Sequence, residues 1–300
     1  MPDDPPSERA LVALIGAELA RAGRPADLSD DCAHLRGQTA LVTHDDLVAG
    51  VHFDLAQDRP EEVGAQAAVV NLSDLAASGG AAGWLVWSLM LPPGTDAERV
   101  RALTRGFAET AAAHGAAVVG GNLTRTPGPL TVSVTAGGPL LGPRPFLRSA
   151  ARPGDTLYLT GPLGDATLGF LRPTFAHRRR RHTWRPHLRE AAALAAWGGV
   201  HAAMDVSDGL LLDASRMGEA SRVGVEIDRA AVPVSAAFRE AFGAQTDAAL
   251  TGGEDYVLLF SAAAPPPLRA WAIGRCVPAP GLWLDGRRAS PTGHDHFRSV

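Results

Sequence analysis

A nearly uncharged segment of small residues at positions 65–83 constrains the fold of this chain most, because Asp74 is its only charged residue. The segment follows Pro60, Glu61 and Glu62, and a proline with two carboxylates is typical of the first turn of a helix. Its apolar residues surround the whole helix, which predicts burial on most sides. An unpaired carboxylate in such a helix is costly. A lone buried aspartate favours pairing with an arginine or backbone capping, so the neighbours of Asp74 decide its role.

The cationic side chains exclude several classes of function. The chain has 28 lysine and arginine residues, and every one of them is an arginine. Without lysine, neither a Walker A phosphate loop nor a Schiff-base mechanism is available. The net charge of −4 argues against a general nucleic-acid binder. The basic run at residues 177–182, which includes Arg178 and Arg181, indicates a solvated loop.

The cysteines, the amino terminus and the length of the apolar runs indicate the cellular compartment of the protein. Cys32 and Cys276 are the only cysteines and lie far apart, which predicts neither a disulfide framework nor a zinc site. The amino terminus is acidic and rich in proline, unlike a secretory signal. No apolar run reaches the roughly 18 residues that span a bilayer. We therefore expect a cytoplasmic protein without membrane contact.

Length and pattern predict a two-domain enzyme of the α/β or α+β class. The 300 residues suffice for two domains of about 100–200 residues each. Strands and helices alternate in both halves. A cluster of Gly, Pro and Arg at residues 137–154 predicts the boundary, so that the domains span residues 1–140 and 141–300.

Several local predictions bear on the site. An amphipathic helix is predicted at residues 7–22, and a strand buried on both faces at residues 84–91. Acidic residues are predicted at the ends of strands, and glycine pairs in turns. The specific expectations are a strand at 39–43 that ends at His44-Asp45-Asp46, a capping box opening at Thr95, turns at Gly120-Gly121 and Gly252-Gly253, and Asp208 as the cap of a helix that ends at Ser221.

Acidic residues recur beside glycine or small residues along the whole chain. One such pair usually caps a helix or forms an Asx-turn, but so many would repel one another unless cations lay between them. Oxygen ligands without a Cys/His cluster favour a hard divalent ion such as Mg²⁺, and glycine turns let backbone N–H groups approach phosphate. From the residues alone, phosphoryl transfer on several Mg²⁺ ions and other metal-assisted chemistry remain equally open. The acidic positions are Asp30/Asp31, Asp45/Asp46, Asp74, Asp205/Asp208 and Glu254/Asp255.

The order and spacing of these motifs resemble one family over nearly the whole chain. That family is the thiamine-monophosphate kinases, which belong to the superfamily that includes aminoimidazole ribonucleotide synthetase. The motifs that carry the resemblance are Asp30-Asp31, the segment 43–53 (THDDLVAGVHF), the segment 71–77 (NLSDLAA), Gly120-Gly121-Asn122, Arg148, the segment 205–210 (DVSDGL), the segment 252–256 (GGEDY) and the terminal segment 295–297 (DHF).

The resemblance implies ATP-dependent phosphorylation of thiamine monophosphate to thiamine diphosphate. It also implies a homodimer in which the amino-terminal mixed sheets and their helices form a barrel at the interface, while an α/β carboxy-terminal domain completes each site. Catalytic positions would be Asp30, Asp45, Asp74, Asp208 and Arg148. The implied Mg²⁺ ligands are Asp30, Asp45, Asp74, Asp205 and Asp208, with Thr43, His44 and Asn122 also at the metals; ATP would be held by Gly121, Asn122, Arg148 and Ser207, and the substrate by His52, Glu254 and His294.

Four positions depart from the family pattern. Asn122 stands where the family has aspartate, so the site loses one negative charge. His44 replaces a small hydroxyl residue, His294 an aromatic ring, and Ser29 a glycine. The alternatives are another ATP-using member of the superfamily or a non-catalytic nucleotide-binding paralogue. Selenophosphate synthetase is disfavoured, because its amino-terminal Cys and Lys have no counterpart here.

The implied mechanism needs no general base. The nucleophile would be a phosphate monoester oxygen, which is largely deprotonated at neutral pH because its second pKa is about 6. Catalysis then consists of aligning two polyanions and neutralising their charge with metal ions and Arg148.

Overall fold

The structure is a computed structural model, and it describes residues 30–34, 40–172, 184–243 and 246–294 together with three single alanines near the amino terminus. The predicted helix at residues 7–22 lies outside the described residues except for these alanines, which are helical. The basic run at residues 177–182 also lies outside them. None of the described helices is long and apolar enough to cross a membrane.

The first half of the chain forms a five-stranded sheet with two helices on one face. The strand order is β1-β2-β5-β3-β4, antiparallel except for the parallel β3–β4 pair. Gly64 and Gly106 let the two helices touch, because a Cβ atom at either position would lie within 2.0 Å of a backbone oxygen of the other helix. The elements are β1 (Ala33–His34), β2 (Ala40–Val48), α1 (Pro60–Ala77), β3 (Trp84–Leu91), α2 (Ala97–Ala113), β4 (Ala117–Arg125) and β5 (Thr131–Pro139).

The second half forms a seven-stranded, mostly antiparallel sheet. Its strand order is β12-β11-β8-β10-β6-β9-β7, and β8 and β11 are parallel. The elements are β6 (Thr156–Leu159), α3 (Asp165–Leu171), α4 (Leu188–Trp197), β7 (Val200–Asp205), α5 (Leu210–Ser221), β8 (Gly224–Ile227), α6 (Ala236–Phe242), α7 (Asp247–Thr251), β9 (Leu258–Ala262), β10 (Trp271–Val277), β11 (Gly281–Leu284) and β12 (Arg287–Arg288), with short 3₁₀ turns at Arg148–Ala150 and Arg229–Ala231.

Helix α1 joins the two halves. It packs against β2, β5 and α2 on one side and against β7, β9 and α4 on the other. Leu72, Leu75 and Ala76 are fully buried. Burial on most sides, predicted from the small residues of this segment, is therefore confirmed, as is the two-sheet α/β architecture. The barrel at a dimer interface stays a prediction.

Three strand predictions differ from the structure. Strand β2 does not end at His44: it continues to Val48 and pairs with β5 over its whole length, so Asp45 and Asp46 lie inside a strand. Gly120-Gly121 lies inside β4 rather than in a turn. Strand β3 is buried on only one face, because Leu85 faces the helices whereas Trp84 is 36% exposed. In the first two cases pairing across the sheet overrides the local preference of aspartate or glycine for turns.

Two helix caps also differ. Helix α2 is capped by Asp96, whose side chain accepts the Arg99 N–H, while the Thr95 hydroxyl donates to the carbonyl of Pro92. Helix α5 is not capped by Asp208. Instead, the backbone N–H of Gly209, at the start of the helix, donates to the side chain of Asp213, which lies one turn further on.

Candidate active site

Three carboxylates from different elements meet where α1 lies between the two sheets. Asp31 precedes β1, Asp74 lies on α1 and Asp205 ends β7, and one carboxylate oxygen from each lies within 4.8 Å of the others. We call this group the carboxylate cluster. The Thr43 hydroxyl donates to Asp74 Oδ2 at 2.5 Å, and the Ser73 hydroxyl donates to Asp205 Oδ2 at 2.6 Å. The cluster is thus built from both halves of the chain.

Burial and mutual repulsion perturb these carboxyl groups. Burial, followed by the charges of Asp205, Asp31 and Asp45, raises the pKa of Asp74 well above its ordinary value. Burial and Asp31 raise the pKa of Asp205 to about 7, although the Ser73 hydrogen bond opposes this shift. Burial raises the pKa of Asp45 to about 6, although the hydrogen bond from the Asp46 N–H opposes this shift. Asp74, Asp205 and Asp45 therefore resist ionisation unless a compensating cation is present.

The donor set fits a hard divalent ion. Among the described residues, Asp74 neither pairs with an arginine nor caps a backbone, so neither structural explanation for a lone buried aspartate holds. Carboxylate and hydroxyl oxygens are ligands that Mg²⁺ accepts. A cation among Asp31, Asp74 and Asp205 would also relieve the repulsion that raises the pKa values of Asp74 and Asp205.

The two residues of the first acidic pair, Asp30 and Asp31, make different contacts. Asp30 Oδ1 accepts the backbone N–H of Arg148 at 2.7 Å, whereas Asp31 belongs to the carboxylate cluster. Asp31 also forms an ion pair with the Arg148 guanidinium. The metal role of Asp30 stays a prediction, and Asp31, predicted only as part of an acidic pair, is the member that lies in the cluster.

The segment 205–209, which leads into helix α5, is held by hydrogen bonds to a side chain of that helix. Asp213 Oδ2 accepts the N–H groups of Ser207, Asp208 and Gly209 at 3.1, 3.0 and 3.1 Å. Asp213 is fully buried. Arg216, one turn of α5 beyond Asp213, contacts both Asp208 and Asp213. Neither Asp213 nor Arg216 was singled out from the sequence, and only their i, i+3 spacing on one helix could have indicated the pair.

Two other segments attach to this one by backbone hydrogen bonds. The Glu254 N–H donates to the Ser207 carbonyl at 2.7 Å, and the His294 N–H donates to the Asp208 carbonyl at 2.8 Å. Gly253 permits this approach, because a Cβ atom there would lie 2.3 Å from the Ser207 oxygen. Gln66 on α1 donates to Glu254 Oε1 at 3.1 Å. Ser207, Asp208, Glu254 and His294, predicted separately, are therefore neighbours.

Other predicted residues lie on the opposite face of the first sheet or along its edge. Thr43 is on the helix-covered face, and the alternation of β2 puts His44 on the open face, where its ring contacts Thr135 at 2.8 Å. Asn122 pairs with Ser88 on that same open face, and Gly121 precedes it in the exposed edge strand β4. Within one chain, His44, Gly121 and Asn122 are not brought to the carboxylate cluster, whereas Thr43 contacts it.

His52 follows β2 in a turn. Its Nδ1 accepts the Val48 N–H at 2.9 Å, which fixes the ring beside the end of the strand. Its role as a substrate contact stays a prediction.

Comparison with known proteins agrees with this arrangement. The family described as AIR synthase related protein, N-terminal domain, matches residues 29–140, and the AIR synthase related protein, C-terminal domain, matches residues 152–281. A thiamine-monophosphate kinase from Rhodopirellula baltica is 35% identical over 288 residues, which cover 90% of this chain and 84% of the relative.

Solved structures show the same similarity. AaThiL complexed with AMPPCP and TMP superposes with a TM-score of 0.87 at 31% identity, covering 97% of each chain. Thiamine monophosphate kinase from Aquifex aeolicus superposes with a TM-score of 0.84 at 30% identity, covering 95% of this chain and 98% of the other. Because both domain families match and these relatives align over most of their length, the chain belongs to the thiamine-monophosphate kinase family of AIR synthase related proteins.

Proposed function

We propose that the protein transfers the terminal phosphoryl group of ATP to thiamine monophosphate, giving thiamine diphosphate and ADP. The observation that carries this proposal is the carboxylate cluster of Asp31, Asp74 and Asp205, built from both halves of a chain of this family. The similarity to AaThiL, which was complexed with AMPPCP, an analogue of ATP, and with TMP, supports both substrates.

The metal proposal rests on the donor atoms around the cluster. Asp31, Asp74 and Asp205 would hold Mg²⁺, with the Thr43 hydroxyl fixing Asp74. When bound, Mg²⁺ supplies positive charge that neutralises the phosphates of the substrates. The residues proposed to contact further Mg²⁺ ions are Asp30, Asp45, Asp208, His44 and Asn122.

The arrangement of the remaining residues supports positioning as the main catalytic contribution. Thiamine monophosphate supplies its own nucleophile, because a phosphate monoester is mostly dianionic at neutral pH. Arg148, held next to the cluster by Asp31, places a fixed positive charge where the two polyanions must meet. The residues proposed to bind ATP are Gly121, Asn122, Arg148 and Ser207. Those proposed to bind thiamine monophosphate are His52, Glu254 and His294.

Product identification tests the proposed reaction. Purified protein is incubated with ATP, Mg²⁺ and thiamine monophosphate, and the products are compared with authentic thiamine diphosphate and ADP. We expect both in equal amounts, and none after exhaustive chelation. Asp96→Asn is a matched control, because Asp96 is an exposed helix cap far from the cluster and asparagine caps helices well. ATP binding without turnover would favour the non-catalytic paralogue, and turnover only with another acceptor would favour another superfamily member.

We also propose a homodimer formed through the first sheet. Among the described strands, β4 is at the edge of the first sheet and is exposed along its length, and Val119 and Leu123 are 61% and 65% exposed. Large apolar side chains on a free edge are typical of an interface. Leu123→Glu should give a monomer in sedimentation experiments, whereas Leu171→Glu, at an apolar position 53% exposed on α3, should leave the assembly unchanged. A monomeric wild type would contradict the proposal.

We propose that the domains divide near residue 140, into 1–140 and 141–300. The first sheet ends at Pro139 and the second begins at Thr156, and the two family matches divide in the same interval. Limited proteolysis should cleave between these two strands. A first cleavage inside either sheet would contradict the boundary.

A further inference from the structure

Arg216 lies between a proposed metal ligand and a fully buried carboxylate. Its Nη1 contacts Asp208 Oδ2 and also lies 3.1 Å from Asp213 Oδ1. The Arg216 side chain is 30% exposed and that of Asp208 is 20% exposed, while Asp213 is fully buried. One guanidinium nitrogen is therefore shared between two carboxylates that differ in their access to solvent.

The two carboxylates differ in what else satisfies them. Asp213 Oδ2 already accepts three backbone N–H groups of the segment 207–209, so its position does not depend on Arg216 alone. Asp208 instead adds its charge to a region that is already strongly acidic, since its carboxylate raises the pKa values of Asp45 and Asp205. Without a divalent ion, Arg216 supplies a compensating positive charge at this end of the site.

We propose that Arg216 is a built-in counter-ion of the metal site, pairing with Asp208 in the ion-free protein and with Asp213 alone when a divalent cation binds Asp208. The inference rests on the proposed function, in which Asp208 is a ligand of Mg²⁺. A carboxylate oxygen that accepts a guanidinium bond is less available to a metal, and two cations on one carboxylate repel each other. Arg216 needs no new partner to leave Asp208, because Asp213 already accepts the same nitrogen.

This arrangement has two opposite consequences. Arg216 stabilises the ion-free fold, because it neutralises Asp208 and pairs with a buried carboxylate whose loss of partner is costly. It also competes with the metal, so removing its charge should tighten metal binding. A residue with only a structural role would instead weaken metal binding when replaced, because the loop that carries Asp208 would lose its support.

The test is Mn²⁺ binding to ion-free protein, followed by the electron paramagnetic resonance signal of free Mn²⁺. We expect Arg216→Gln, which keeps N–H donors toward Asp213, to bind Mn²⁺ about tenfold more tightly than wild type. Arg216→Lys keeps the charge and should bind like wild type. Arg275→Gln is the matched control, because the exposed Arg275 side chain of β10 pairs with Glu226 of β8, and it should change nothing.

Asp208→Asn completes a double-mutant cycle. In that background Arg216→Gln should no longer tighten binding, because the arginine has lost the carboxylate for which it competes. Tightening that persists would mean a general charge effect and would overturn the inference. Equal or weaker binding by Arg216→Gln in the wild-type background would overturn it too, yet would leave the proposed function standing. A wild type that binds no Mn²⁺ would overturn both.

A second measurement needs no variant, in case Arg216→Gln fails to fold. A crystal structure of the wild type with Mn²⁺ bound should retain the contact between Arg216 and Asp213 and lack that between Arg216 and Asp208. An ion on Asp208 with Arg216 still paired to it would contradict the inference.

Discussion

Replacing Asp205 by asparagine should stabilise the ion-free protein. Asp205 is 1% exposed, lies in the carboxylate cluster and accepts a hydrogen bond from Ser73. Burial, and next the charge of Asp31, raises its pKa from an ordinary value of 3.8 to about 7. Asparagine has nearly the same shape and still offers an oxygen to Ser73, so the substitution removes mainly the charge.

The sign of the effect follows from the raised pKa. The unfolded chain loses the Asp205 proton near pH 4, whereas the folded protein keeps it until about pH 7. Stability is therefore highest at low pH and is lost as the pH rises through this interval. Ionised Asp205 costs the folded protein up to about 4 kcal/mol at pH 8 but only about 1–2 kcal/mol at pH 5. We expect Asp205→Asn to raise the free energy of unfolding by about 2–4 kcal/mol at pH 8. The gain is smaller than the full cost of the charge because the amide forms a weaker hydrogen bond with Ser73.

Urea unfolding in EDTA, followed by tryptophan fluorescence at pH 5 and pH 8, measures this gain. The control Asp96→Asn should unfold at the wild-type urea concentration at both pH values, because Asp96 is an exposed helix cap. With saturating Mg²⁺, wild type should recover stability that Asp205→Asn does not. The reasoning is refuted if Asp205→Asn is less stable than wild type at pH 8, or if its gain is the same at both pH values.

Three further predictions concern single residues of the site. Asp74→Asn should abolish turnover while the ion-free fold stays as stable as wild type or becomes more stable in urea; near wild-type turnover would show that Asp74 is only a structural carboxylate. Asn122→Asp should lower the Mg²⁺ concentration for half-maximal activity at fixed ATP, after correction for MgATP in solution, and identical midpoints would mean that Asn122 does not touch the metal. Ser73→Ala should cost about 1–2 kcal/mol in urea at pH 8, because Asp205 loses a buried donor, and an unchanged midpoint would contradict the contact.

Helix α1 was predictable because its composition leaves few alternatives. A long run of small apolar residues with one carboxylate cannot form a stable surface helix, so its burial follows from sequence alone. The same holds for the two-sheet architecture, which follows from the alternation of strands and helices in both halves.

Strands β2 and β4 show where local patterns fail. His44-Asp45-Asp46 and Gly120-Gly121 are typical of turns, but each lies inside a paired strand. Pairing with β5 and β3 decides these conformations, and the partners are distant in sequence.

The site was predictable as a set of acidic positions, whereas its contacts were not. Asp74 and Asp205 lie close together although they are 131 positions apart in the sequence, and no local pattern encodes this contact. The sequence could not decide which member of Asp30-Asp31 faces the cluster, because that depends on the backbone direction at a single residue. Asp213 and Arg216 were missed because they resemble ordinary charges on an exposed helix face.

Transfer of labelled phosphate tests the central proposal most directly. ATP labelled at its terminal phosphate is incubated with the protein, Mg²⁺ and unlabelled thiamine monophosphate, and the labelled product is identified for wild type, Asp74→Asn and Asp96→Asn. We predict that wild type and Asp96→Asn place the label in the terminal phosphate of thiamine diphosphate, and that Asp74→Asn does not. Label released only as inorganic phosphate, or transferred equally well by Asp74→Asn, would contradict phosphoryl transfer at the carboxylate cluster.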